Sequence, residues 1–462
     1  MLHTKEWKVA RHLGAGLVGL EKESLRVTPD GYMAMTRDPF TDDSHIVRDF
    51  CENQTEINTP ALSSVREAID FLDQYTKKIR RTLAGLKEPE LLWPFSNPPY
   101  IRRESDIPVA QYEGPEREKT EYRNYLAGRY GKYMMTFSGI HYNYSFSDEL
   151  LQAEFEARQS AGELGKETGA GQSAAEPGGE ASDRFRDFKN AFYVSLAAKA
   201  LSYNWLIVAA TAASPLLDCS YAEKGKWGSD IFNGMGSTRC SELGYWNFFT
   251  PVLDYRNIEA YAESILGYIR FGLIRSSSEL YFPVRLKPAG KYDIAKLAES
   301  GVSHIELRMI DLNPLTPVGL DERDAGFIRL LLIYLAAQPD RDLDANEQIQ
   351  AIQNTKNAAR YDLKTVNIVV PGTDHSGQET MDAASAALCV VDDMRRFCEE
   401  LQRVHPGKEP QAFREAFDIL EYQRLKFTDP DNRYAWRIRR EYDGGFVQKG
   451  LELAKRYTEQ DL

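Results

Sequence analysis

Gly19 to Val27 reads GLEKESLRV, and this stretch decides how the rest of the chain is read. Alternate residues of an extended strand share a face, so Glu21 and Glu23 point the same way, close enough to repel. Something cationic belongs between them. The same alternation returns downstream. From Ile140 to Phe146, the apolar Ile140, Tyr142, Tyr144 and Phe146 alternate with His141, Asn143 and Ser145. From His304 to Ile310, Ile305, Leu307 and Met309 alternate with Glu306 and Arg308, and in Leu280 to Leu286 the even positions are apolar while Tyr281 and Arg285 are odd. A period of two places one face on a core and leaves the other for solvent or a ligand, as in antiparallel sheets. These segments are expected to be strands, and a polar face offering carboxylate, imidazole and guanidinium implies a site built on the sheet.

The block Asp49 to Pro60 (DFCENQTEINTP) adds Asp49 and Glu56 to Glu21, Glu23, His141 and Glu306. Any one of these is ordinarily a solvated or structural residue. Together, five carboxylates and an imidazole in one cavity would repel strongly unless divalent cations neutralised them. Hard oxygen ligands favour Mg²⁺ or Mn²⁺. Arg123, Arg239, Arg285 and Arg308 lie in or beside the same blocks, and planar guanidinium suits carboxylate and phosphate oxygens. Arg308 shares its strand face with Glu306, which fits either a metal beside the phosphoryl group it bridges or a structural ion pair.

The chain has 462 residues, 42% hydrophobic and 27% charged, with a net charge of −12. That balance opposes general nucleic-acid binding, so anionic substrates must be met by local arginines or metals. Met1 to His12 lacks an apolar signal core, and the apolar Trp205 to Leu217 is too short to span a bilayer and contains Pro215, so a buried helix and no membrane association are expected. Five widely spaced cysteines without a CxxC suggest neither a disulfide framework nor a zinc site. The expected setting is cytoplasmic and reduced.

Residues 156–183, rich in Gly, Ala, Glu and Ser, read as a flexible surface insertion in a catalytic domain spanning 1–370. A break at Pro371-Gly372-Thr373 precedes a helical C-terminal subdomain, 371–462, with Ser376 and Glu379 in capping-box spacing before a helical run. Gly14 to Gly19 matches GxGxxG but leads into a strand, whereas the dinucleotide fingerprint must open a helix. No GxxxxGK[ST] occurs, so ATP would not be held by a P-loop. The tyrosines of Tyr122 to Tyr133 read as core or pocket walls.

The ordered blocks GLEKESLRV, DFCENQTEINTP, WPFSNPPY (Trp93 to Tyr100), YRNYLAGRYG (Tyr122 to Gly131), SGIHYNYSF (Ser138 to Phe146), TRCSELGY (Thr238 to Tyr245), SELYFPVR (Ser278 to Arg285) and IELRMIDLNPLTPVGLDE (Ile305 to Glu322) resemble the motif series of bacterial glutamate-cysteine ligases. The resemblance implies an α+β fold akin to glutamine synthetase, with a curved, mostly antiparallel sheet forming a funnel and helices outside. It implies ATP as co-substrate and Mg²⁺ (or Mn²⁺) held by Glu21, Glu23, Asp49, Glu56, His141 and Glu306. Phe50, Tyr122, Arg239, Tyr245 and Tyr281 would frame a cysteine pocket, with Arg285 nearby, while Arg123 and Arg308 would handle substrate or phosphate charge. Met135 stands where such ligases often carry glutamine beside the acceptor pocket, and Cys51 and Cys240 adjoin the site. The implied reaction joins the γ-carboxylate of glutamate to the amine of cysteine through an acyl phosphate, the first step of glutathione biosynthesis. Another small amine acceptor, a phosphagen-type kinase and a non-catalytic sensor are the competing readings, and no oligomeric state is implied.

Overall fold

The computed structural model describes residues 1–163, 177–371, 378–408 and 413–462. Its strands are β1 (Gly16–Val27), β2 (Ile46–Arg48), β3 (Gln54–Asn58), β4 (Leu91–Leu92), β5 (Gly139–Phe146), β6 (Leu217–Asp218), β7 (Asp230–Ile231), β8 (Val284–Lys287), β9 (His304–Asp311), β10 (Asn367–Pro371) and β11 (Gln378–Asp382). Seven of them form one open sheet in the order β2-β3-β1-β5-β9-β8, with β4 paired to β1. Every pairing in it is antiparallel. The fold is thus the expected mixture of helices and an antiparallel sheet.

The alternation read in the sequence sets which side of this sheet is dry. Val18 and Leu20 of β1, Tyr142 and Tyr144 of β5, and Ile305 and Leu307 of β9 are all buried in one hydrophobic cluster. The Pro177–Thr211 helix packs over β8 and β9 on this side. A tyrosine or phenylalanine buries roughly 150–250 Å² when enclosed, and burial is worth about 25 cal/mol per Å², so the apolar phase of each strand fixes its register. Slipping one strand by a residue would turn its carboxylates into that core.

The expected Leu280–Leu286 strand is shorter than its pattern. Ser277–Glu279 forms a 3₁₀ turn and only Val284–Lys287 pairs as β8, because Pro283 has no N–H to give to a ladder. The expected capping box also fails. Glu379 lies in β11, Ser376 lies outside the described residues, and the Ala383–Val404 helix is capped by Asp382, which accepts from the Ser385 N–H at 2.9 Å. Of the expected insertion, 164–176 lies outside the described residues, whereas helix Asp148–Ala161 runs into its start and helix Pro177–Thr211 begins before its end. The segment from Ser182 to Thr211 is long and apolar enough to cross a membrane, but 78% of its apolar window is buried in the fold. It serves as the central core helix. The GxGxxG segment leads into β1, as expected, and does not open a helix.

Carboxy-terminal helices join both cores. Residues of Ala383–Val404 and Ala416–Thr428 belong to the cluster beneath the sheet, and Tyr434, Phe446, Leu451 and Tyr457 belong to a second cluster with Leu25, Phe50 and Trp93. Gly450 makes the second packing possible, since a Cβ there would lie 2.4 Å from the Trp93 ring.

Candidate active site

Opposite the dry face, the polar phases of five strands converge through their registers. Glu21 pairs across from His141, Glu23 from Glu56, and Arg285 from Glu306. His141 Nδ1 lies 2.8 Å from Glu21 Oε2 and its Nε2 lies 3.9 Å from Glu23 Oε1. Glu306 is almost fully enclosed and faces three cations: Arg308 Nη1 at 3.3 Å, Lys287 Nζ at 3.3 Å and Arg285 Nε at 3.9 Å. One ligand atom from each of Glu21, His141 and Glu306 falls within 4.8 Å of the others. Glu23, Glu56 and Asp49 extend this wall, because Asp49 acts electrostatically on both glutamates.

Charges on the wall are unevenly compensated. Burial and then Asp49 push the Glu23 carboxyl up to about 8. Burial, Asp49, Glu21 and Glu23 likewise hold Glu56 well above the carboxylate range. At Glu306 burial also opposes ionisation, yet Arg308, Lys287 and Arg285 outweigh it and keep the group well below its usual range. Burial, followed by Arg308, lowers His141, which leaves a neutral imidazole available as a ligand. The donor set fits a hard divalent cation: Glu21, Glu23 and Glu56 crowd one another beside a neutral imidazole, and Glu306 Oε2 is buried with no hydrogen-bond partner.

The arginines divide into two kinds. Arg308 sits among Glu306, Glu21 and Glu23, which raise it further above its usual range against the opposing effect of burial. Arg239 donates to the Arg308 and Ile310 carbonyls at 3.0 and 3.4 Å, with its guanidinium laid over Gly139. Arg123, like Arg239, donates to main-chain carbonyls, those of Asp49, Arg48 and Lys119, so it pins the loop that carries Asp49. Arg285 does the same for the turn before β8, donating to the Ser278 and Leu280 carbonyls.

Beside the carboxylates lies an aromatic wall. The Tyr245 and Tyr281 rings are 4.0 Å apart, and Tyr130 meets Tyr281 edge-on at 5.2 Å. Phe50, Met135 and Tyr281 are buried together, with Tyr122 and Tyr245 packed against them. The Tyr245 hydroxyl donates to Met135 Sδ at 2.8 Å. Both neighbouring thiols are held protonated, Cys240 being pushed up to about 12 by burial and Asp311, and Cys51 also raised, by burial and then Asp49.

Three residues on or behind this wall were not among the expected site residues. Asn143 donates to Glu21 Oε1 at 3.0 Å and Lys287 reaches Glu306; each sits two residues from a residue already singled out, on the same strand face. Glu279, fully buried, accepts from Tyr130 at 2.8 Å, Tyr125 at 3.3 Å and the Arg275 N–H at 2.6 Å. It ties helix Arg117–Tyr130 to the turn before Tyr281, and no periodicity marks it.

Residues 2–271 and 248–358 match the family model described as glutamate-cysteine ligase. A bifunctional glutathione biosynthesis protein of Listeria welshimeri is 34% identical over 469 residues, which cover 99% of this chain and 56% of that protein. A glutamate-cysteine ligase of Clostridium acetobutylicum is 32% identical over 397 residues, covering 75% of this chain and 77% of its own. Among solved structures, a bifunctional glutathione synthetase from Pasteurella multocida superposes with a TM-score of 0.78 at 27% identity, over 98% of this chain and 54% of that one. A glutamate-cysteine ligase from Francisella tularensis, solved in complex with AMP, has the same TM-score of 0.78 at 22% identity, covering 97% of this chain and 89% of that one, and shares the fold. The chain spans about half the length of the bifunctional relatives it matches.

Proposed function

Because the chain belongs to the glutamate-cysteine ligase family, we propose that it joins the γ-carboxylate of glutamate to the amine of cysteine, with ATP as co-substrate, in the first step of glutathione biosynthesis. The observation that carries this reading is the cluster of Glu21, His141 and Glu306, with ligand atoms within 4.8 Å of one another, beside Arg308. Glutamate-cysteine ligase chemistry needs such a wall. A carboxylate resists attack by an amine because oxide would have to leave. Transfer of the γ-phosphoryl group forms a bond from a glutamate carboxylate oxygen to phosphorus as the bond to the ADP oxygen breaks. The amine then attacks the acyl carbon, phosphate departs with that oxygen, and the nitrogen loses a proton.

Glu21, Glu23, Asp49, Glu56, His141 and Glu306 would hold Mg²⁺ or Mn²⁺, which when bound offsets the negative charge gathered between ATP and glutamate. Arg308, held by Glu306, offers a fixed cation to the transferring phosphoryl group, and fixed charges of this kind stabilise developing anions without reorganising. Arg239 would meet a substrate carboxylate beside the tyrosines. Arg123 acts through the loop carrying Asp49. Phe50, Tyr122, Met135, Tyr245 and Tyr281 make an enclosed wall suited to a short side chain, which favours cysteine. The glutamine-synthetase-like funnel, the division into 1–370 and 371–462, and a cytoplasmic setting belong to the same reading.

Incubating the protein with ATP, Mg²⁺, glutamate and a panel of amines, then weighing the products, tests it. Phosphate, ADP and γ-glutamylcysteine are expected. A phosphorylated acceptor without a peptide would replace the ligase by a kinase.

A further inference from the structure

Two residues after Tyr245, Asn247 is buried where three separate parts of the chain meet. Its Oδ1 accepts from the Tyr281 N–H at 2.8 Å, while its Nδ2 donates to the Glu279 carbonyl at 2.8 Å and to the Tyr130 hydroxyl at 3.0 Å. An N–H on one side and a carbonyl on the other fix which way the amide faces. The Tyr130 hydroxyl donates in turn to Glu279 Oε1 at 2.8 Å, and that carboxylate is held by the Arg275 N–H at 2.6 Å and by Arg129 Nε at 3.0 Å. This network leads to the aromatic wall from both sides. Asn247 shares a loop with Tyr245 and holds the main chain of Tyr281, whose ring lies 4.0 Å from that of Tyr245 and meets Tyr130 edge-on at 5.2 Å. A cavity of about 30 Å³, lined by Trp246, Asn247, Phe249, Tyr281 and Phe282 among others, adjoins them. Packing around the loop is thus incomplete on one flank, and a satisfied polar network is what specifies a single arrangement there.

We propose that Asn247 is a positioning residue that sets acceptor specificity, acting through Tyr281, which it fixes against Tyr245. The inference rests on the reading of these tyrosines as the acceptor wall. Without the amide, the Tyr281 N–H and the Glu279 carbonyl lose their partner and the ring is free to shift. A misplacement of about 1 Å at such a group costs up to about 10²-fold. Glu306 takes its cations from β8 and β9, so the handling of ATP should be left as it is.

Steady-state kinetics of Asn247→Ala, with each substrate varied in turn, test this. The KM for cysteine should rise about 10-fold or more while kcat and the KM values for ATP and glutamate stay within about twofold of wild type, the pattern of lost binding rather than lost chemistry. The preference for cysteine over 2-aminobutyrate should shrink with it. Because Asn247 acts through Tyr281, the same substitution in a Tyr281→Ala background should cost less than about twofold further. Full additivity of the two, an unchanged KM for cysteine, or equal losses for all three substrates overturns the proposal. If Asn247→Ala does not fold, Tyr130→Phe decides, since it removes a single hydroxyl from the network: a rise of about threefold in the KM for cysteine, the worth of one modest hydrogen bond, supports the proposal and an unchanged value overturns it. A wild type that forms no peptide with any amine removes the ligase reading and this inference with it. A wild type that forms γ-glutamylcysteine, with variants that behave like it, removes this inference alone.

Discussion

Gly139 and Arg239 approach so closely that a Cβ on Gly139 would lie 2.2 Å from the Arg239 Cζ. The same glycine gives its N–H to Glu23 Oε2 at 2.9 Å. One residue without a side chain therefore holds a carboxylate of the polar wall and makes room for the Arg239 guanidinium. Gly139→Ala should displace Arg239 while leaving the sheet formed. We expect kcat/KM for the acceptor to fall by about 10²-fold, the loss that small misplacements of positioning groups produce, with the KM for ATP changed little. Steady-state kinetics with each substrate varied, alongside a melting curve, checks this. An unchanged acceptor KM would remove Arg239 from the pocket.

Glu306→Gln keeps shape and loses charge at the most enclosed carboxylate of the wall. ATP turnover should disappear. Mn²⁺ affinity, read by electron paramagnetic resonance, should weaken beyond the roughly 10–100-fold typical of losing an outer-shell partner. The protein should stay folded, since Arg308, Lys287 and Arg285 lose a partner but keep partial access to solvent or main-chain carbonyls. Retained Mn²⁺ affinity would exclude Glu306 as a ligand.

Oxygen labelling tests the acyl phosphate directly. With ¹⁸O in the glutamate γ-carboxylate, one labelled oxygen should appear in inorganic phosphate, because that oxygen bridges carbon and phosphorus before the amine attacks. Label-free phosphate sinks the intermediate. Arg308→Lys should slow turnover by roughly 10²-fold or more, since a point charge replaces a fixed planar fork at a developing anion.

The site was legible because its residues alternate. A period of two assigned Glu21, Glu23, His141, Glu306 and Arg308 to the polar side of three strands, and registers such as Glu21 opposite His141 bring those sides together. What alternation cannot carry is the direction in which an arginine reaches. Arg123 and Arg308 look alike in sequence, yet the first gives its N–H groups to main-chain carbonyls and the second faces carboxylates. Local order was missed where a proline or a short hairpin intervened, as at Pro283 and in β11. Glu279 was missed because its partners come from helix Arg117–Tyr130 and the turn at Arg275, far apart in the chain.

Asp324 and Lys426 form a buried pair at 2.5 Å that links helix Glu322–Ala337 to helix Ala416–Thr428. Asp324 also accepts from Gln423 at 2.7 Å and Tyr434 at 2.6 Å. Lys426→Met leaves that carboxylate enclosed without its cation and should destabilise the fold by about 3–5 kcal/mol. Replacing both, Asp324→Leu with Lys426→Met, should recover part of the loss. Urea unfolding measures each, and a double variant no more stable than the single would mean that the pair itself, with its two neutral donors, is what the core requires.

The acceptor prediction turns on Met135. Its sulfur accepts the Tyr245 hydroxyl at 2.8 Å, so the wall presents an apolar methyl and thioether where a glutamine would present an amide. An apolar pocket separates a thiol from a methyl or ethyl group by only about 1–3 kcal/mol. Cysteine should therefore be preferred, with 2-aminobutyrate, alanine and serine as weaker acceptors within roughly 10–200-fold. Met135→Gln keeps an acceptor for Tyr245 and adds an N–H₂ that can meet a sulfur lone pair, which 2-aminobutyrate lacks. The ratio of kcat/KM for cysteine over 2-aminobutyrate should then rise several-fold, in the direction expected when a polar group in the pocket is satisfied by one substrate alone. An unchanged ratio would place Met135 outside the acceptor pocket, and a wild-type preference for alanine over cysteine would overturn the cysteine assignment altogether.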